Sequence, residues 1–456
     1  MKIPILWSNG VSKSVKSLIV KGKYVLTLDR EYRTIQQGAV FVEGDKILDV
    51  GPAKKIESSY SADEIIDAKE CVVMPGLICS HNHMYGVLSH GIPVSQTTST
   101  FIAFLKKFWW PRIENALNKE QISAAASMSS IQMVKTGTTC CADVLEAPNS
   151  IPGALEVEAQ ATEMVGLRSV LSFEATERIS EENGWKGAEE NLNFIKMYNR
   201  KNDSLTKGMF CTHTTFTCSP QFLRKVRDLA NEYPTGIHLH LEEGAYESKY
   251  CLTKYGKLPV ELYEKIGFLG SDVLASQCVH TLPKEIKLLR KHDVKISHMP
   301  LSNCEVGGGI APVPSFLQAG LTVGLGTDGY IQDMFEVMRV AFLIHKGNLQ
   351  DASVMPAEAV IRMATVDAAK AIRMENLVGS ITPKKQADII TVDLESPTPV
   401  TAENLIPQLV VFGEGKMVQD VLINGKKIMR NRKILTMNED MARTKCREAA
   451  ESLWNT

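Results

Sequence analysis

The pattern of apolar and polar positions changes character twice along the chain. At the start, short β-branched runs ("SLIVKGKYVLTLD", "GAVFVEGDKILDVG", "CVVMPGLI") are broken by Gly, Asp and Asn turn signals, which predicts strands. From Gly76 onward, apolar strands alternate with amphipathic helices. The predicted strands are "GLICSH", "TTCCADV", "GLRSVLSFEAT", "KGMFCTHT", "TGIHLHLEE", "DVLASQCVH", "VKISHMP" and "LTVGLGTDG". Helices such as "KEQISAAASMSSIQMVKTG", "PQFLRKVRDLANEY" and "KEIKLLRKHD" separate them. Strands alternating with helices at this spacing predict a parallel sheet, and eight such units predict a closed barrel. From about Gly379 short strands return, in "ADIITVDL" and "LVVFGEGKMVQDVLINGKKI". The expectation is an α/β chain with a (β/α)8 TIM-like barrel over residues 73–378. A small β-sandwich domain built from both termini, residues 1–72 and 379–456, would flank it and end in a C-terminal helix.

Composition narrows the function classes. Apolar residues make up 44% of the 456 and charged residues 23%, as in an ordinary globular enzyme. The formal net charge of -1 gives no electrostatic reason to expect nucleic acid or an anionic membrane as partner. No apolar run approaches the ~20 residues of a bilayer span. The opening "MKIPILWSNG" is too short in apolar residues for a secretory leader. Ten cysteines lie without CxxC spacing, and adjacent Cys140 and Cys141 suit neither a simple disulfide nor a zinc knuckle. Reduced thiols in a cytoplasmic protein are expected. No GxGxxG or GxxxxGK[ST] follows a strand, which removes the usual nucleotide-fold reading.

Barrel enzymes carry their chemistry at the C-terminal ends of the strands. Here the first strand ends in His81-Asn82-His83, and the fourth reaches His213. The fifth ends in His238-Leu239-His240, followed by Glu242 and Glu243. The sixth runs from Gln277 to His280, the seventh ends in His298 and the eighth in Asp328. Seven of the ten histidines fall at these ends; His90, His292 and His345 lie elsewhere. Such concentration on one face of a barrel predicts a metal site. In an extended segment residues i and i+2 project to the same side. His81 and His83 can therefore both offer a ring nitrogen to one ion at ~2.0–2.1 Å. Alone, His-x-His fits a ligand pair and a plain strand end equally well; the later His-x-x-Glu and Thr-Asp-Gly tip the balance to ligands.

The arrangement PGL-x3-His-x-His, then His-x-x-Glu, then Gly-Thr-Asp-Gly, resembles the amidohydrolase superfamily. More narrowly it is similar to the aminohydrolase and chlorohydrolase branch, with its guanine, adenosylhomocysteine and triazine-type deaminases. "MPGLICSHNHMYGVLSHGI", "LGTDGYIQDMFEVMRVAF" and "DLESPTPVTAENL" resemble the SsnA-type aminohydrolases within it, and the resemblance covers nearly the whole chain. It implies that His81, His83, His240 and Asp328 hold one divalent metal, with zinc ahead of iron, since a nitrogen-rich site with one carboxylate suits both. It gives Glu243 the role of proton shuttle. His238 could face the same way as His240, but spacing to the glutamate favours His240, and Glu242 points the other way. His213, in "HTTFTCS", matches a segment whose histidine touches substrate or the metal surroundings. No lysine stands at that strand end, so a carboxylated-lysine bridge between two metals is not expected.

One departure stands out. Where the family has a histidine in an "AHCVHL"-like run, this chain reads "SQCVHT", with Gln277 in its place and His280 three residues later. Gln277 is expected to face inward and His280 to sit on the loop rim, both near substrate. His298 and Asn303, in "SHMPLSN", match another family segment, with support or direct substrate contact as their expected role. Trp109 and Trp110 read as core packing, and "GGGIAPVPS" as a loop over the barrel mouth.

The chemistry implied is hydrolysis. A metal held by three imidazoles and one carboxylate generates hydroxide near neutral pH. Attack would fall on a C–N carbon of a small heterocyclic substrate, with Glu243 protonating the ring nitrogen and Asp328 accepting the proton of the water. Deamination of a purine-, pterin- or pyrimidine-like ring, as in nucleobase metabolism, leads. Opening of a cyclic amide, dechlorination of a triazine-like ring, or a non-catalytic barrel protein are the rivals. A homo-oligomer, a dimer or larger, is expected.

Overall fold

The protein was analysed as a computed structural model that describes residues 16–93 and 98–455. The opening "MKIPILWSNG" lies outside the described residues. Four strands come first: β1 (Ser17–Leu26), β2 (Thr34–Glu43), β3 (Lys46–Pro52) and β4 (Glu64–Pro75). Then follow β5 (Leu77–Asn82), β6 (Thr138–Leu145), β7 (Arg168–Phe173), β8 (Thr206–Gly208), β9 (Phe210–Thr212), β10 (Ile237–Leu241), β11 (Val273–Gln277), β12 (Lys295–His298) and β13 (Val323–Leu325). The last four are β14 (Ile389–Val392), β15 (Val418–Ile423), β16 (Lys426–Arg430) and β17 (Lys433–Ile434).

Strands β5 to β13 form the barrel, with β8 and β9 as two pieces of one staggered strand. Its parallel ladders run β5-β6-β7-β8 and β9-β10-β11-β12-β13. A bridge from Ala175 to Thr212 joins the two arcs on one side. On the other side β5 and β13 meet without a ladder, at bonds from the Thr327 and Asp328 amides to the His81 carbonyl, 3.0 and 3.2 Å. All eight strands read from the sequence are present, because each is a short apolar run that ends where polar residues begin.

The terminal segments share one sheet, in the order β17-β16-β15-β14-β4-β1-β2-β3. It curls so that Lys46 of β3 bridges Gln386, just before β14. The curl encloses Leu18, Val20, Val40, Val42, Ile66, Ile389 and Leu422. One continuous sheet thus provides the two faces expected of a sandwich. Arg168, the first residue of β7, clamps this sheet to the barrel through paired bonds of 2.8 and 2.9 Å to Asp388.

Two elements shape the mouth. The helix Leu105–Glu114 has widened π turns around Pro111, and a helix of that kind often marks a functional site. The C-terminal helix Glu439–Trp454 braces it: Arg112 donates to the Trp454 carbonyl and Trp454 Nε1 donates to the Leu88 carbonyl. All ten cysteines are free thiols, and all but Cys304 are buried.

Candidate active site

Side-chain alternation builds the site. On β10, Ile237, Leu239 and Leu241 join the large apolar cluster, which leaves His238 and His240 for the barrel interior. On β5 the same alternation gives His81 and His83 one direction and Asn82 the other. The ligand atoms offered by His81, His83, His240 and Asp328 all lie within 4.8 Å of one another. His81 Nε2 is 2.9 Å and His83 Nε2 3.4 Å from Asp328 Oδ1, and His83 Nε2 is 3.3 Å from His240 Nε2. Two ligands of a tetrahedral ion at ~2.0–2.1 Å stand ~3.3 Å apart, so this donor set fits one small divalent cation.

Each far ring nitrogen has a polar neighbour, which turns each Nε2 toward the centre. His83 Nδ1 donates to the Val144 carbonyl at 2.7 Å, and His81 Nδ1 meets His238 Nε2 at 2.9 Å. His240 Nδ1 lies 2.9 Å from Glu174 Oε1. Burial drives His81 down to about 4, against the pull of Asp328, and His213 down to about 3, against the pull of Glu174. A neutral His81 is what a cation requires; at His240 burial lowers the value, but the charge and contact of Glu174 outweigh it and raise it. Burial opposes charge on Asp328, but the hydrogen bond from His81 and the fields of His81 and His83 hold its carboxyl well below the usual range.

Glu243 is buried beside this cluster. Burial, then the negative charges of Asp328, Glu174 and Glu247, push its carboxyl well above the ordinary range, the direction a proton donor needs. Glu242 turns away: at φ +51° its carboxylate accepts from Ser248 at 2.7 Å. The loop at Gly307 lies directly on Glu243. A side chain at Gly308 would stand 3.1 Å from the Glu243 carbonyl, so one there would have to push the loop back by a few tenths of an ångström.

Gln277 reaches the cluster. Its Nε2 donates to Asp328 Oδ2 at 3.0 Å, and its Oε1 accepts from Asn303. Ser302 also donates to Asp328 Oδ2. His280 is on the rim, with Nε2 2.9 Å from the Gly308 carbonyl. His213 joins the inner wall, its ring 5.5 Å from that of His240 and its Nε2 3.6 Å from Glu174.

The structure does not bring His298 to the cluster. Its ring meets His345, Nε2 to Nε2 at 3.2 Å, on the helix Met334–Leu349. Its neighbour Ser297 reaches Ser80 instead, so alternation on β12 gives His298 to the helix layer. Trp110, read from sequence as core, stands beside His213 with ring centres 6.2 Å apart, and the Arg178 guanidinium lies over the Trp110 ring, 5.2 Å from its centre. Arg178 in turn pairs with buried Glu114 and Glu146.

Glu174 is the main residue that sequence reasoning passed over. It follows the third barrel strand, in "SFEAT", where the rule applied to the other strand ends would have found it. Burial opposes its charge, yet His213 and His240 hold its carboxyl well below the usual range. Ser302 carried no comparable signal, because it reaches Asp328 across the mouth from the short helix Pro300–Glu305.

Residues 72–428 match the Amidohydrolase family. The chain is 35% identical over 440 residues to a 5'-deoxyadenosine deaminase of Methanosarcina acetivorans, covering 96% of this chain and 98% of that one. It is 33% identical over 444 residues to a 5-methylthioadenosine/S-adenosylhomocysteine deaminase of Pelotomaculum thermopropionicum, covering 96% and 99%. Among solved structures, a zinc-bound adenosine deaminase from Xanthomonas campestris has a TM-score of 0.87 at 23% identity, over 96% of this chain and 99% of that one. A zinc complex of atrazine chlorohydrolase from Arthrobacter aurescens has a TM-score of 0.84 at 20% identity, over 95% and 100%. At these identities the two structures share the fold.

Proposed function

The chain belongs to the amidohydrolase family, and on that premise we propose that it is a metal-dependent aminohydrolase acting on the purine ring of an adenine nucleoside altered at its 5' carbon. The observation that carries the proposal is the convergence of His81, His83 and His240 Nε2 with Asp328 Oδ1, each far nitrogen beside a polar neighbour, and buried Glu243 beside them with its carboxyl pushed up by burial and nearby charge. The substrate class is supported by relatives of 33–35% identity that are named as deaminases of such nucleosides.

These four residues would hold one divalent cation, zinc ahead of iron, which supplies a Lewis acid and makes water more acidic. Glu243 gives its proton to a ring nitrogen, so that the ring accepts electron density as water adds to the carbon bearing the amino group. Asp328 accepts a proton from that water through a carboxylate kept ionised by its neighbours. The proton then passes to the departing ammonia, with Glu243 at hand for the transfer. Positioned acid–base groups of this kind supply roughly 10²–10⁴-fold in rate. Gln277 and Ser302 fix the rotation of Asp328 through its other oxygen. Trp110, beside His213, offers an aromatic wall for a planar base.

The test is ammonia release from the zinc-loaded protein, over 5'-deoxyadenosine, 5'-methylthioadenosine, S-adenosylhomocysteine, adenosine, guanine and a chlorinated triazine. Turnover is expected on the 5'-modified adenosines, with one metal per chain. A metal-loaded protein that releases ammonia from none of the adenine nucleosides would overturn the proposal.

A further inference from the structure

The four converging ligands straddle the seam of the barrel. His81 lies on β5 and His83 just after it, Asp328 follows β13, and these two strands share no ladder. The two backbones meet here through the Thr327 and Asp328 amides on the His81 carbonyl, at 3.0 and 3.2 Å, and not along a ladder. The loop that carries Asp328 is also conformationally costly: Asp328 has φ +59° and Gly329 φ +77°. Backbone of this kind persists only where its surroundings hold it. It is pressed tightly on β5, since a side chain at Gly329 would come within 2.4 Å of the His83 carbonyl.

Ser80 Oγ donates across this seam to the Leu325 carbonyl at 2.9 Å and Cys79 Sγ lies 3.4 Å from Thr327 Oγ1, and a further side chain, Asn82, reaches both neighbours of Asp328. Asn82 lies between the two histidines and projects to the opposite side, where an ordinary strand would carry an apolar residue. Its Oδ1 accepts from Thr327 Oγ1 at 2.6 Å and from the Gly329 amide at 2.9 Å, the residues on either side of Asp328. Its Nδ2 donates to Asp143 Oδ1 at 2.8 Å. The same Asp143 oxygen accepts from the Met84 amide at 2.8 Å, which ties down the chain just after His83. Every polar atom of the Asn82 side chain is thus used, in a fully buried position. Behind Asp143 lies Glu158, on the helix Ala154–Val165. Burial pushes both carboxyls up.

We infer that Asn82, anchored by Asp143, is a positioning residue that sets the distance between the His81–His83 pair and Asp328 across the barrel seam, and so tunes metal affinity. The inference rests on the metal-site reading above. It concerns no substrate contact: Asn82 acts through the Thr327 hydroxyl and the Gly329 amide, on either side of Asp328.

The test uses metal binding to the full-length apo-protein. Zn²⁺ affinity is measured by competition with a chromophoric chelator, and the visible spectrum of the Co²⁺ form reports the geometry of the site. Asn82→Ala is expected to weaken Zn²⁺ binding about 10–100-fold, the usual cost of removing a group that orients a ligand, and to change the cobalt bands. Thr327→Val, which removes one donor to Asn82 and keeps side-chain volume, is expected to shift both in the same direction by less. Thr391→Val breaks a buried bond of similar kind in the terminal sheet, to Asp420, and should leave both unchanged. Zn²⁺ affinity within twofold of wild type and an unchanged cobalt spectrum in Asn82→Ala and Thr327→Val overturns the inference. If Asn82→Ala fails to fold, Thr327→Val decides by itself on the same criterion. Wild-type protein that binds neither ion overturns the metal-site reading instead, so the two failures are distinct.

Discussion

Replacing Gln277 by alanine should cost about 10–150-fold in turnover, whereas His280→Ala should cost less than about tenfold. The difference follows from what each side chain touches. Gln277 donates to Asp328 Oδ2 at 3.0 Å, inside a buried site, and accepts from Asn303. A hydrogen bond to a charged group contributes ~1.5–3 kcal/mol. At ~1.4 kcal/mol per tenfold, that range converts to the factor given. Asn303 then loses its acceptor as well, which moves the expected effect toward the upper end. His280 instead meets the Gly308 carbonyl at 2.9 Å on the loop rim, a neutral hydrogen bond worth ~0.5–1.5 kcal/mol that supports the loop and not the carboxylate. The assay is steady-state ammonia release by metal-loaded wild type and the two variants, on whichever nucleoside gives turnover, with metal content measured on each sample. A larger loss in His280→Ala than in Gln277→Ala would refute the reasoning. So would near-wild-type rates in both, since Asp328 would then need neither group.

Glu243→Gln should keep the metal and the fold and lose roughly 10²–10⁴-fold in turnover, because the amide keeps the shape without the proton. Burial and neighbouring charge raise the Glu243 carboxyl, so the active form is the protonated one: activity should persist above the usual carboxylate range, fall as pH rises through the raised value, and lose that limb in the variant. A variant with an unchanged pH profile and rate would remove Glu243 from the mechanism. Glu174→Ala should weaken zinc binding about 10–100-fold through the 2.9 Å contact to His240, with Glu174→Gln in between; chelator competition that shows wild-type affinity in both would remove Glu174 from the support of His240.

The sequence by itself determined the order of elements and the placement of most polar groups. Eight apolar runs alternating with amphipathic helices leave a parallel barrel as the arrangement that buries them, and each strand presents its C-terminal residues at one mouth. The i, i+2 spacing of His81 and His83 and of His238 and His240 sets their facing, since alternation is a property of the extended backbone. Tertiary structure decided what depends on distances between strands. Whether His238 or His240 takes the centre turns on depth in the barrel: His238 lies one layer down, against His81. His298 is a histidine at a strand end like the others, but its place in the alternation of β12 pairs it with His345. Glu174 and Ser302 gain meaning only beside His240 and Asp328, residues distant in the chain. Asn82 shows the division most clearly. Its position between two histidines is plain in the sequence, yet its three partners come from β6 and the loop after β13. A hydrogen bond needs its partners within about 3 Å, and only the closed barrel brings those segments so near.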